Sequence, residues 1–351
     1  MAVLLQNQAK QIRTPQVLTA STSNVYLNKS EYLFYSNSPE MLDSTDMADN
    51  GKFLNRASVS GNGQIYTWHA NGTGRTINSC ILIYNPNAYA VTLKVTNYGL
   101  TNDSTQSQPD VIAWEKYYNG QSTSVTVAAG GYGNLFLRTI ANGNHFGTVA
   151  RVNIVKQGTA TAAAVTLFDL AYFSNSGNAQ SFATPDAATT KRTRGKGAGF
   201  YTTITLPTLS PTNTDGIGCS FGSKKIGTLA NTYDDSFYGA DCSVIEDPSG
   251  MTSGPLQGAY GQQFQMTIPV KNTTSIARKF RVFIGSRGGV AFPFVNFAGS
   301  YAKYTNRIEN KYYVDVIETD TIASGSTELV TLSTVITAMS DAPFFIGVRT
   351  I

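Results

Sequence analysis

Alternation of apolar and polar residues at a period of two is the feature that most narrows the fold. Val91, Leu93 and Val95 alternate with Thr92, Lys94 and Thr96, and Phe264, Met266, Ile268 and Val270 alternate with Gln265, Thr267 and Pro269. Successive side chains of a strand point to opposite faces, so this pattern buries one face of an antiparallel strand and wets the other. Phe280, Val282 and Ile284 keep the spacing, and Phe283 makes that strand apolar on both faces. Residues 149–155, 165–173, 200–206, 312–317, 329–336 and 344–348 read as further strands. Pro269 has no ladder donor, which predicts a place at a sheet edge for its strand. The one helical pattern, Pro109–Tyr118, sets Val111, Trp114 and Tyr118 on one side behind a proline suited to a first turn. It predicts a short crossover that packs Trp114 on a sheet.

Composition supports the same class. Only 14% of the 351 residues are charged, against about 25% in an average soluble domain, while 41% are hydrophobic. That is not the profile of a disordered chain. Thr, Ser, Asn and Gly take the place of charge, which suits pleated surfaces and tight turns. The length accommodates about two domains. A net charge of +4, without a clustered basic face, argues against nucleic acid as a partner. No apolar run approaches the ~18–20 residues of a membrane span. Residues 1–13 carry no secretory h-region, so surface delivery is expected through a removed signal, through lysis, or by assembly inside a virion. Cys80, Cys219 and Cys242 are too few and scattered for a disulfide framework or zinc knuckle, with a Cys219–Cys242 pair left open.

An approximate internal repeat sets the domain expectation. Residues 81–99 run strand, Asn-Pro-Asn turn, strand, Gly, and residues 266–285 run strand, Asn-Thr-Thr turn, strand, Gly. Small-residue turns follow in each half: Ala128-Ala129-Gly130-Gly131 and Ala323-Ser324-Gly325-Ser326. Two copies of one supersecondary unit predict an all-β chain of two β-sandwich halves, of Ig-like or jelly-roll kind. We place an extended N-terminal arm at 1–35, the halves at 36–184 and 185–351, and their junction at about 175–199. The junction carries a basic run, Lys191, Arg192, Arg194 and Lys196, read as a solvated linker in preference to a clamp for an anionic polymer.

Short segments spread over the chain carry a family resemblance: YSNSPE (35–40), HANGTG (69–74), ILIYNPNAYAVTLKVTNYG (81–99), AAGGYGNLFL (128–137), LQGAYGQQFQMTI (256–268) and GSRGG (285–289). In these the chain resembles a group of Gram-positive (Firmicutes) secreted β-sandwich proteins that occur beside copper-amine-oxidase-like or S-layer-homology segments. The resemblance implies an extracellular β module without an established activity. It transfers no functional residue, and the copper label belongs to the neighbouring segments.

Chemistry-bearing motifs are sparse. Gly218-Cys219-Ser220-Phe221-Gly222 fits G-x-S-x-G, but a nucleophile elbow needs a strand before the serine and a histidine after it. His69 and His145 both precede Ser220, so the run is expected to be a glycine-rich loop. His69, beside Trp68, is expected to pack at a strand end. Asp215, Asp234, Asp235 and Asp241, with Glu246 and Asp247, are the metal candidates, because clustered carboxylates on loops suit calcium. No EF-hand or nonapeptide spacing accompanies them, and no cofactor is expected otherwise. Tyr66 with Trp68, Trp114 with Tyr117 and Tyr118, and Tyr301 with Tyr304 form a candidate aromatic platform for sugars. The run 285–289 is expected to be a tight turn.

These readings point to a non-enzymatic, self-assembling protein of a cell or spore surface: a fibre, appendage or surface-layer subunit that polymerises by strand or arm exchange. A glycan-binding adhesin and a capsid-type virion protein are the alternatives.

Overall fold

The computed structural model describes residues 1–4, 11–18, 24–103, 109–175, 178–183, 194–222, 236–237, 240–246, 252–256, 258–287, 289–303 and 307–351. The chain is all-β, with the Pro109–Tyr118 helix at its expected bounds. It divides into two compact units, Lys29–Phe200 with Val244–Gly254, and Met1–Asn28 with Tyr201–Ser243 and Pro255–Ile351. The boundaries therefore differ from those expected. The first 28 residues belong to the unit built from the C-terminal part of the chain.

In the Lys29–Phe200 unit, one strand serves two layers. The first half of Gly51–Asn71 pairs with Ala164–Phe173, and its second half pairs with His145–Lys156. Ile77–Tyr84 and Tyr132–Ile140 extend the first layer. Val91–Asp103, Thr123–Val127 and Tyr32–Ser36 extend the second. The core lies between them. Val91, Leu93 and Val95 are buried as the alternation predicts, against Ile81, Ile83, Val165 and Leu167 of the other layer. The helix lies directly on Val91–Asp103, where a Cβ on Gly99 would stand 1.8 Å from the Ala113 carbonyl oxygen, so only glycine permits this approach. Trp114 is fully buried and stacks on Tyr66, which stacks in turn on Tyr35.

The other unit packs a seven-stranded sheet on a six-stranded one. Val282, Ile284, Val314, Val316, Ile346 and Val348 of the first meet Phe264, Met266, Ile268, Val270, Val330 and Leu332 of the second. Pro269 does not mark an edge. Its strand, Gln263–Lys271, lies between Thr327–Val335 and Tyr201–Thr205. Leu206 N donates to Thr267 O and Leu209 N to Pro269 O, so the missing proline donor falls where the neighbouring segment skips from Leu206 to Leu209. The ladder loses no bond there.

The internal repeat holds at the level of single hydrogen bonds, and it has a third copy. Asn85 Nδ2 donates to Tyr89 O (2.8 Å) and Val127 O (3.1 Å), while its Oδ1 accepts from Asn87 N. Asn272 Nδ2 donates to Ile276 O (2.8 Å) and Ile322 O (2.9 Å), with Thr274 N on its Oδ1. Asn71 repeats the pattern with Arg75 O, Ile140 O and Thr73 N. Each asparagine is buried and faces an Ala-x-Gly-x turn, at 128–131, 323–326 and 141–144. The side chain supplies the donors and acceptor that the backbone cannot pair where two segments leave one sheet together.

Candidate functional site

The N-terminal segment is placed by edge pairing. Ala2–Val3 and Gln11–Ile12 add to Tyr312–Glu318, Gln16–Val17 adds in parallel to Ile217–Phe221, and Val25–Leu27 adds to Tyr201–Thr205. Between the first two attachment points and the third, Arg13 is buried. Its Nη2 lies 2.7 Å from Asp315 Oδ1 and its guanidinium stands 4.8 Å from the centre of the Phe283 ring. Arg349 holds the same carboxylate twice, by Nε at 3.0 Å and Nη2 at 2.6 Å, with Arg281 Nη1 at 3.6 Å. Burial, with Arg349 and Arg281 nearby, pushes the Arg13 guanidinium down to about 10, and the Asp315 charge opposes that shift. Val17 packs on the cluster of Phe283, Tyr313 and Phe345. This explains why Phe283 is apolar on the face away from the core: the N-terminal segment covers it.

A serine, a histidine and an aspartate meet inside the Lys29–Phe200 unit. His69 Nε2 lies 2.9 Å from Asp169 Oδ2 and 3.2 Å from Ser36 Oγ, and Nδ1 lies 2.6 Å from Pro39 O. The carbonyl fixes a proton on Nδ1, so serine and carboxylate share the other nitrogen. In a hydrolytic triad they occupy opposite nitrogens. All three side chains are buried. The group ties Tyr32–Ser36, Gly51–Asn71 and Ala164–Phe173 together, and His69 sits two residues from the end of its strand, as expected. Arg138 joins from Tyr132–Ile140, redirected by a register shift between Leu135 and Arg138, and its Nη2 donates to Gly147 O and Thr148 Oγ1. Burial lowers its guanidinium to about 10 against the opposing field of Asp169. The sequence reading passed over Asp169 and Arg138. The available signal was a lone carboxylate in the run 165–173, which is otherwise apolar apart from Thr166.

The other sequence candidates separate. Ser220 lies inside the strand Ile217–Phe221, opposite Phe345, so G-x-S-x-G is a buried strand and not a loop. Gly218 is required there, since a Cβ would stand 2.1 Å from Ile346 O. Asp215 accepts from Thr14 Oγ1, and buried Asp241 accepts from Gly222 N at 2.8 Å. Asp234, Asp235 and Asp247 lie outside the described residues, as do Lys191, Arg192 and Tyr304. Among the described residues no three His, Cys, Asp or Glu side chains converge as a metal site. All three cysteines are buried free thiols, and burial raises Cys80 and Cys219 to about 12. Tyr66, Trp68, Trp114 and Tyr117 are core residues, so they form no exposed platform. Apolar packing against the neighbouring strands claims the ring faces that a sugar would need.

Arg194 and Lys196 of the basic run lie in a strand. Arg194–Ala198 is a strand between Tyr32–Ser36 and Val244–Glu246, and Arg194 donates to Leu54 O. Beside it lies an open groove of about 460 Å³, lined by Arg56, Ala57, Ser58, Thr166, Phe168, Lys196 and Glu246. Lys196 Nζ donates to Ser58 O at 3.2 Å, and Arg56 stands 5.2 Å from the centre of the Phe53 ring.

No helix among the described residues is long and apolar enough to cross a membrane. No protein-family model matches the chain, and no curated protein does. Solved structures show distant likeness. The PBSX exported protein XepA is 9% identical over 85% of this chain and 86% of its own, with a TM-score of 0.20. Lac15 from a marine microbial metagenome is 10% identical over 82% of this chain and 52% of its own, with a TM-score of 0.13. Fet3p, a multicopper oxidase that functions in iron import, is 8% identical over 82% and 53%, with a TM-score of 0.12. At these scores the likeness assigns no activity.

Proposed function

We propose that this chain is a non-enzymatic structural protein of a cell, spore or particle surface, and that it assembles with copies of itself by exchanging residues 2–18. The supporting observation is how the N-terminal segment attaches. Its pairings are two or three residues long, and they all add to strand edges. The fully buried core of that unit runs from Ile204 to Val348; among the described residues of the segment, Val3, Leu18 and Val25 pack on it partly exposed, and Val17 packs on the Phe283 cluster. Departure of residues 2–18 therefore opens edges without dismantling the core. An open edge accepts the same segment from a neighbouring copy by the same hydrogen bonds. Arg13 gives such an exchange a fixed register, because a buried charge must find Asp315. The Ser36–His69–Asp169 group, closed from solvent with two partners on one nitrogen, favours a structural over a catalytic reading.

Light scattering and negative-stain microscopy test this. The full chain is expected to form filaments, lattices or shells, and Arg13→Ala is expected to yield discrete monomers with an unchanged β circular-dichroism spectrum. A full chain that stays monomeric at every concentration would sink the proposal.

A further inference from the structure

We infer that the groove formed by Arg56, Ser58, Thr166, Phe168, Lys196 and Glu246 binds a carboxylate-bearing saccharide. Its volume of about 460 Å³ lies in the range of small-ligand sites, about 300–1,000 Å³. Its lining comes from four strands held in register: Thr166 faces Ser58, Phe168 faces Arg56, and Lys196 faces Glu246. Side chains carried on paired strands are preorganised, so ordering them on binding costs little.

The charges define the ligand. Arg56 is exposed, makes no ion pair among the described residues, and is steadied by the Phe53 ring. Lys196 spends one donor on Ser58 O and retains two. Two cations on one groove call for an anion, which Arg56 can take in a bidentate grip. Glu246, an acceptor on the same wall, sets a limit. It disfavours a dianion such as phosphate and favours a ligand that brings one negative charge together with hydroxyl donors. Ser58 and Thr166 add hydroxyls that donate or accept, while Phe168 is a core residue packed on Phe53 and forms the floor of the groove. A neutral sugar would leave Arg56 unused. A uronic acid residue brings both the single carboxylate and the hydroxyls that these polar groups call for. This inference does not depend on self-assembly.

The test is titration of the full chain with glucuronate and galacturonate oligosaccharides, followed by calorimetry, with glucose oligosaccharides and inorganic phosphate as controls. Uronates are expected to bind at millimolar or tighter affinity, ahead of both controls. Arg56→Ala is expected to weaken them by about tenfold or more, with the β circular-dichroism spectrum unchanged and the melting temperature lowered only slightly by loss of the Phe53 contact. Absence of uronate binding, equal binding of neutral sugars or phosphate, or an unchanged affinity in Arg56→Ala would each overturn the assignment.

Discussion

Replacing Arg13 by alanine isolates the energetics of the N-terminal clip. The substitution removes a buried charge-assisted hydrogen bond to Asp315, worth ~1.5–3 kcal/mol, and a cation–π contact with Phe283, worth ~0.5–2 kcal/mol. Against this, the chain no longer desolvates a third guanidinium beside Arg349 and Arg281. Asp315 is not orphaned, since Arg349 still holds both its oxygens. The net cost is about 1–3 kcal/mol, and it falls on the clip, not on the core. Asp315→Ala is different in kind. It leaves Arg13 and Arg349 buried and facing each other, which costs ~3–5 kcal/mol and strikes the sheet itself. Amide exchange with mass-spectrometric readout distinguishes the two. Arg13→Ala should deprotect 2–3 and 11–18 while 280–286 and 344–350 stay protected, whereas Asp315→Ala should deprotect both sets. If Arg13→Ala lowers global stability as much as Asp315→Ala, Arg349 does not hold the carboxylate alone and the ranking is wrong.

Other outcomes follow from the same interactions. Leu93→Ala should cost about 2–5 kcal/mol by denaturant unfolding, since Leu93 is fully buried and leaves a cavity. Asn272→Ala should cost about 1–2 kcal/mol, because the carbonyls of Ile276 and Ile322 each lose one of two donors, with Thr274 Oγ1 and Arg278 N remaining. Ser220→Ala should be neutral or slightly stabilising in thermal melts, as its buried Oγ has no partner among the described residues. His145 gives a pH effect. Burial lowers its folded pKa below the ordinary ~6.5, so the unfolded chain binds more protons between the two values and stability falls as pH drops below ~6.5. His145→Gln should flatten that slope in melts recorded between pH 7 and 5.

Much of the fold was legible because its signals are local. The alternation at Val91, Leu93 and Val95 needs only neighbouring residues, and so does the proline-led pattern of Pro109–Tyr118. The Asn-turn repeat was visible in two places. Its third copy, at Asn71, was hidden because the strand leading to it carries Gly61, Gly63 and polar residues that break the alternation. The N-terminal segment escaped because its pairings span two or three residues, too few for periodicity to register. Pro269 misled because a missing donor matters only opposite an acceptor, and the partner segment is interrupted there. The candidate sites were least legible. His69 meets Asp169 across 100 positions, and the groove draws on four strands that no linear motif connects.

The most direct test of assembly by exchange uses two full-length variants, one carrying Ala2→Cys and the other Glu318→Cys. These positions face each other across an antiparallel pair, close enough for a disulfide, and the native cysteines are all buried. Mixed under mild oxidation and run on a non-reducing gel, the two variants should yield a cross-linked dimer, because residues 2–18 of one copy occupy the edge of the other. If the mixture gives no such dimer while the double variant closes its own intramolecular bridge, the segment pairs only within its own chain, and assembly by exchange is contradicted.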